Sequence, residues 1–307
     1  MAHYLITGGA GFIGSHLVDR LLQAGHRVTV IDDFSTGKAE NLPCAGALDI
    51  VPADLLTVAA DRLAGPFAAV VHLAALASVN DSWGQLGRAH ARNLTATVRV
   101  IELARELGTP RLVFASSAAV YGHPETVPIA EDHPRRPVSP YGLQKVASEE
   151  YGRLFARDDF SFVALRFFNV FGPRQVADSP YSGVITKFAG ALRANQPVTI
   201  FGDGTQTRDF VYVQDIAAGI SRALEAPDLA PFTVCNLGCG RAVSILQLAE
   251  MMREFFPHWQ SAVERAPMPP GDIVRSEADI SAAQRLLDYR PQYSLTSGLA
   301  EMFDELA

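Results

Sequence analysis

Tyr141 and Lys145 stand four residues apart in Tyr141-Gly142-Leu143-Gln144-Lys145, so on a helix a phenol and an ammonium share one face. A free phenol ionises near pH ~10 and is a poor base at neutrality. A close positive charge favours the phenolate and lowers that value, and the phenolate can then take a proton from an alcohol. Pairs of this spacing also arise on exposed helices without any chemical purpose. Here a second feature stands upstream: the strand-like run Arg111–Ala115 leads into Ser116-Ser117-Ala118-Ala119-Val120-Tyr121-Gly122. Ser117 is thereby placed at the carboxyl end of a strand, where open α/β sheets bind ligands, and its hydroxyl can hydrogen-bond a reacting oxygen. Ser117, Tyr141 and Lys145 form the candidate catalytic trio.

A third feature stands at the start of the chain. Gly8-Gly9-Ala10-Gly11-Phe12-Ile13-Gly14 follows a short strand, Tyr4–Thr7, and puts glycines at 8, 11 and 14 on the turn into a helix. Gly8 permits the tight turn, Gly11 lets a pyrophosphate approach the helix N-terminus, and Gly14 lets the helix pack close to the strand. Asp32 ends the second strand, 18 residues beyond Gly14, where its carboxylate can accept the ribose hydroxyls of an adenosine. A carboxylate there repels a 2′-phosphate and no arginine follows immediately, although Lys38 is near, so the pattern favours NAD over NADP. Asp54 follows the third strand and is placed to reach the adenine edge. His72-Leu73-Ala74-Ala75, at the end of the fourth, brings backbone near the cofactor, with His72 read as a packed residue rather than a ligand.

These groups need a sheet to hold them. The runs Tyr4–Thr7, Arg27–Asp32, Ala69–Leu73, Arg111–Ala115 and Phe162–Phe168 read as strands. Helical spacing fills Phe12–Ala24, a long segment ending near Leu107, and Tyr141–Phe155. Strict alternation of this kind means an α/β fold, a doubly wound parallel sheet with helices on both faces. After Phe168 come a Gly/Pro/Asp/Ser-rich loop from Gly172 to Gly183, a helix near Val184–Ala194 and turn chemistry at Val198–Gly204, the start of a smaller lobe. Val213–Ala226 and Thr233–Leu237 then read as a helix and strand returning to the sheet. The expected division is 1–170, with 213–237 rejoining it, against a second lobe of 171–212 and 238–307.

The chain of 307 residues, 48% hydrophobic and 19% charged, is long enough for a full core and outside the composition of disorder. Its 33 acidic against 26 basic residues give a net charge of -7, which opposes nucleic acid and offers no basic patch to a membrane surface. The nearly apolar run Phe67–Val79 falls short of the roughly 20 residues of a membrane span, and the first residues lack the pattern of a secretion signal. Cys44, Cys235 and Cys239 lack C-x-x-C spacing, so no metal site is expected, and reduced thiols suit the cytoplasm.

In ordered conjunction, G-x-x-G-x-x-G at Gly8 to Gly14, Ser-Ser-x-x-Val-Tyr-Gly at Ser116 to Gly122, Tyr-x-x-x-Lys at 141 to 145, and Leu165-Arg166-Phe167-Phe168-Asn169-Val170-Phe171-Gly172-Pro173-Arg174 resemble the extended short-chain dehydrogenase/reductases. The likeness runs over nearly the whole length and is greatest to the UDP-hexose (UDP-glucose and UDP-N-acetylglucosamine) 4-epimerases. It implies a Rossmann sheet, tightly held NAD, and a homodimer built from two long helices of each subunit. It adds Phe12, Ile13, Asp33, Leu55 and Asn93 to the cofactor contacts. For a nucleotide-sugar it implies Asn169 at the diphosphate, Gly183–Phe188, including Val184, along the base, and Arg208 as a phosphate clamp whose planar fork suits a diphosphate. A surface ion pair of Arg208 with Asp203 or Asp209 is the alternative. Asp272 is implied at the ribose. The family's arginine two places before Gly271 is Pro269 here, leaving Arg265 or Arg275 as substitutes. Ser276 stands where some relatives carry a tyrosine against the sugar C2 substituent, and its small side chain leaves room for an N-acetyl group.

The implied reaction is oxidation at C4 to a 4-keto sugar followed by return of hydride to the other face, a 4-epimerisation. A dehydratase shares the first step. The 4,6-elimination lacks its usual Asp-Glu pair, since Ala118 and Ala119 stand there, while a 5,6-elimination could recruit Glu125, Glu131 or His123. A non-catalytic NAD-binding relative is the remaining alternative, opposed by the intact trio.

Overall fold

A computed structural model describes residues 1–175, 183–269 and 271–304. The loop expected from Gly172 to Gly183 and the position of Pro270 therefore lie partly or wholly outside the described residues. Strands β1 (His3–Thr7), β2 (Arg27–Asp32), β3 (Leu48–Pro52), β4 (Ala69–His72), β5 (Arg111–Ser117) and β6 (Ser161–Phe167) are joined after a detour by β10 (Phe232–Leu237). They form one parallel sheet in the order β10-β6-β5-β4-β1-β2-β3. The chain leaves β1 toward β2 and β3, then restarts at β4 on β1's other side, which makes the β1/β4 boundary the switch point where open parallel sheets hold ligands. In register, Thr7 pairs with His72 and Ser117 with Phe167, so the carboxyl ends of these strands form one edge.

Helix α1 (Phe12–Gln23) is an amphipathic crossover that buries Leu17, Val18 and Leu21 on one face of the sheet. The long crossover expected to end near Leu107 runs through α2 (Val79–Gly84), α3 (Leu86–His90), a π-helical turn (Ala91–Thr95) and α4 (Ala96–Glu106). Helix α5 (Pro140–Phe155) starts where Ser139 accepts the Gly142 N–H at 3.1 Å and Pro140 supplies a preset first turn. These elements bury Val100, Ile101 and Leu103 with Phe114 and Phe162 on the opposite face. Each such side chain contributes about 1.5–3 kcal/mol by leaving water, so truncation at Leu103 should cost about 2–5 kcal/mol.

Beyond Phe168 the chain turns out of the sheet into β7 (Asn169–Phe171), α6 (Val184–Arg193), β8 (Val198–Phe201) and β9 (Thr207–Tyr212). Helix α7 (Val213–Glu225) returns against α1 and leads into β10. The rest adds β11 (Ala242–Ser244), α8 (Ile245–Arg253), β12 (Val263–Ala266), α9 (Ser281–Leu287) and α10 (Leu295–Asp304). A small sheet β11-β9-β7 and the pair β12-β8 pack over a separate core containing Phe171, Phe188, Ile200, Tyr212, Leu248 and Leu299. The sequence carries no clear strand signal for β7, β11 and β12, because elements of three or four residues show too little periodicity.

Candidate active site

The glycine turn is built differently at each glycine. Gly8 has φ +73°, and a Cβ there would lie 2.6 Å from the Ala74 nitrogen. A Cβ on Gly14 would lie 2.2 Å from the Gly8 carbonyl oxygen, so the helix presses on the turn itself rather than on the strand. Gly11 has φ -76°, and its Cβ would meet only the Gly8 oxygen, at 3.3 Å. Neither its backbone angle nor internal packing strictly requires glycine at 11. Gly11 is also the N-cap of α1 and offers no capping side chain, while the first-turn N–H groups, at Phe12 and Ile13, have no carbonyl within the helix to meet. Close approach by an outside anion is the use that remains, and a pyrophosphate fits it.

Asp32 is buried at the end of β2, with Oδ2 accepting the Ala10 N–H and Oδ1 the Phe34 N–H, both at 2.9 Å. A carboxylate has about four acceptor positions, so these bonds aim it and leave capacity for ribose hydroxyls. Asp33 accepts the Ser35 N–H at 3.0 Å and pairs with Arg92, whose other nitrogen lies 3.8 Å from Asp54. Arg92, which no sequence signal singled out, thus ties the ends of β2 and β3. Asp54 also caps its own turn at the Leu56 N–H, while the Leu55 side chain is spent in the core.

On the other side of the switch point, Leu73 N–H donates to Thr7 O at 3.0 Å and Ala74 N–H to Thr7 Oγ1 at 3.4 Å. Ala75 continues to Leu76, where Asn93 from the π-helical turn accepts the N–H at 2.8 Å and donates to the carbonyl at 3.3 Å. The second amide hydrogen of Asn93 goes to Gln144 on α5 at 2.7 Å. Asn93 therefore acts on this edge through the loop it holds. His72 is a packed residue: its nitrogens meet Thr7 Oγ1 at 2.7 Å and Thr97 Oγ1 at 3.2 Å, and burial, then the Lys145 charge, push it down to about 3.

Ser117, Tyr141 and Lys145 come together at the carboxyl end of β5. Ser117 also accepts the Ala119 N–H at 3.2 Å, and Ser82 fixes the start of α5 by accepting the Tyr141 N–H at 3.2 Å. The lysine differs from expectation. Its Nζ donates to Ala115 O at 2.6 Å and lies 4.6 Å above the Phe114 ring and 5.6 Å from the centre of the Tyr141 ring. Burial pushes the Tyr141 phenol up to about 12, opposed by its hydrogen bond with Ser117. The same burial pushes the Lys145 ammonium down to about 7, opposed by the Glu149 charge. The side chains hold the trio in place, and further positive charge is needed to free the phenol's proton.

The second lobe carries the other expected residues. Asn169 and Arg208 lie on paired strands, with Asn169 in register with Phe210. Arg208 does not pair with Asp203 or Asp209. It meets Asp272 at 2.6 Å and donates to the Ile273 carbonyl at 2.5 Å, which joins two expected substrate residues and leaves Arg208 mostly buried. Asp209 instead accepts N–H groups of Cys239, Gly240 and Ala278 at 2.7–3.0 Å, and burial pushes it up to about 6. Ser276 is buried, Val184 starts α6, and Arg265 reaches Gly202 O at 3.3 Å rather than taking the place of Pro269.

Together the fold and site define a dinucleotide-binding enzyme core in which Ser117, Tyr141 and Lys145 meet at the end of β5, joined to a smaller lobe that carries an Arg–Asp pair. Residues 4–238 match the NAD dependent epimerase/dehydratase family, and the chain belongs to it. It is an NAD-dependent enzyme. The chain is 37% identical over 313 residues to a UDP-glucose 4-epimerase of Mycolicibacterium smegmatis, covering 97% of this chain and 96% of that one. It is similar to the structure of a UDP-N-acetylglucosamine 4-epimerase from Methanobrevibacter ruminantium M1 in complex with UDP-N-acetylmuramic acid (36% identity, TM-score 0.93, 100% and 99% coverage). It is likewise similar to a UDP-glucuronic acid 4-epimerase from Bacillus cereus in complex with UDP-glucuronic acid and NAD (32% identity, TM-score 0.90, 99% and 100% coverage). Among the described residues no helix is long and apolar enough to cross a membrane.

Proposed function

We propose that this enzyme is a UDP-hexose 4-epimerase working through a transient 4-keto sugar, with UDP-N-acetylglucosamine and UDP-glucose as substrates. The observation that carries this is the meeting of Ser117, Tyr141 and Lys145 at the carboxyl end of the sheet that also carries the glycine turn, with only Ala118 and Ala119 following the serine. Gly8, Gly11, Gly14 and Asp32 are assigned to holding the cofactor, within 1–170 and 213–237. Asn169, Val184, Arg208, Asp272 and Ser276 are assigned to the nucleotide-sugar, within 171–212 and 238–307. Ser117 hydrogen-bonds the sugar 4-hydroxyl and Tyr141 takes its proton, then gives a proton back when the ketone is reduced. NAD, when bound, supplies the hydride acceptor and donor, and its cationic ring supplies charge that lowers the Tyr141 phenol. Epimerisation needs no further acid. Two of the three groups an elimination could recruit are committed elsewhere, Glu125 to Arg136 at the surface and Glu131 to the Asn236 N–H at 2.7 Å, and the third, His123, is exposed.

A homodimer fits the face of α5, where Leu143, Tyr151, Leu154 and Phe155 are exposed together, and three unpaired cysteines suit the cytoplasm. Incubation with each UDP-hexose, followed by mass and proton NMR, tests the reaction. Unchanged mass with a new C4 configuration supports it, and loss of one water contradicts it.

A further inference from the structure

A second buried group of polar side chains lies one helical turn beyond Lys145. Glu149 is wholly buried, and Arg166 and Ser116 are each 2% exposed. Arg166 grips Glu149 with both prongs, Nε to Oε1 at 2.9 Å and Nη2 to Oε2 at 2.7 Å. Ser116 donates to the same Oε1 at 2.5 Å, and Arg135 reaches Oε2 at 3.3 Å. Arg166 Nη1 is spent on the Tyr121 hydroxyl at 2.9 Å and the Glu131 carbonyl at 2.8 Å. An ion pair this deep is an inefficient way to stabilise a fold, since an apolar pair of equal volume is often as good or better.

Its location gives it another use. The three elements it joins are the ones that fix the trio: Ser116 precedes Ser117 on β5, Glu149 follows Lys145 by one turn on α5, and Arg166 is the register partner of Ser116 on β6. We propose that Glu149 is a positioning residue of the reaction: locked by Arg166 and Ser116, it fixes α5 against the end of β5 and holds the Lys145 ammonium beside Tyr141. This rests on the proposed epimerase reading. The titratable groups around Lys145 are Glu149 and Tyr141 on its own helix and His72 from β4, and the histidine is neutral between two threonines. Arg166 and Arg135 stand behind Glu149. Among the described residues Glu149 is thus the negative charge that opposes the effect of burial on Lys145.

E149Q keeps the shape and removes the charge, leaving Arg166 to add to the repulsion. In the NAD-loaded enzyme kcat should fall about tenfold or more, with KM for the UDP-hexose within about twofold. The alkaline limb of the kcat profile, where Lys145 loses its proton, should move to lower pH by about one unit or more. E149D, which keeps the charge, should lose rate but leave that limb in place. An E149Q profile superimposable on wild type overturns the proposal. Should E149Q not fold, R166K keeps both charges and gives up the fork; lower kcat with an unmoved limb supports the proposal, and wild-type kcat overturns it. NMR titration of the Lys145 Nζ, which needs no turnover, should show the same downward movement in E149Q. A wild-type enzyme inactive on every UDP-hexose would defeat the epimerase reading while leaving this titration to judge Glu149.

Discussion

Replacing Lys145 by methionine should end turnover and yet make the protein more stable at neutral pH. Burial takes the ammonium from an ordinary 10.5 to about 7. Between those values the unfolded chain holds a proton that the native state has released, so wild-type stability rises as pH rises through this window. Below pH 7 the ammonium is charged in both states and the cost of burying it is fully present. About three and a half pH units at about 1.4 kcal/mol each make that cost about 5 kcal/mol. Methionine removes it but cannot donate to Ala115 O, and a buried carbonyl left without its partner costs about 1–3 kcal/mol. The net gain for K145M is therefore about 2–4 kcal/mol at pH 6–7, shrinking to nothing and reversing sign by about pH 10. Tyr141, raised to about 12, has the opposite slope, but only above about pH 10, where the unfolded phenol ionises first. Urea midpoints at five pH values from 6 to 10, with NAD held at the same multiple of each protein's own Kd so that ligand stabilisation is equal, measure the difference. Two parallel curves, or a variant equally destabilised at pH 7 and pH 10, would refute the reasoning.

Three further outcomes are expected. Y141F should retain bound NAD while turnover falls by about 10²–10⁴, as read by cofactor absorbance and product formation, and retained turnover would sink the assigned role. Ser276 is buried, so S276Y should selectively damage UDP-N-acetylglucosamine relative to UDP-glucose in kcat/KM, and equal loss on both would contradict its placement at the C2 substituent. Leu143 is exposed on α5, and L143D should convert a dimer into a monomer in light scattering; a wild-type monomer or an unaffected dimer would count against the helix-pair interface.

The large sheet was legible because its signals are periodic and local. Buried parallel strands such as Val70-Val71 and Leu112-Val113-Phe114 are apolar throughout, and the crossover helices keep a single apolar stripe. The trio was legible for the same reason, since four residues on one helix and a serine at a strand end fix who meets whom. Depth of burial was not legible. The Tyr141–Lys145 spacing says that the side chains share a face, but only packing on Phe114 and Ala115 shows that the lysine spends its charge on a carbonyl. Long-range partners were hidden likewise: Arg208 meets Asp272 across 64 positions, and nothing near Arg208 in the chain indicates it. Arg166 inside an apolar strand was a signal for a buried counter-charge, and Glu149, four residues past Lys145, is its answer.

The central claim is that oxidation occurs at C4 and that the same hydride returns to the same sugar. UDP-glucose and UDP-N-acetylglucosamine carrying deuterium at C4, incubated in ordinary water and analysed by NMR and mass, test it directly. The expected product is the C4 epimer with deuterium retained at C4 and none washed into solvent. An epimer carrying solvent hydrogen at C4, or a product lighter by one water, would contradict it.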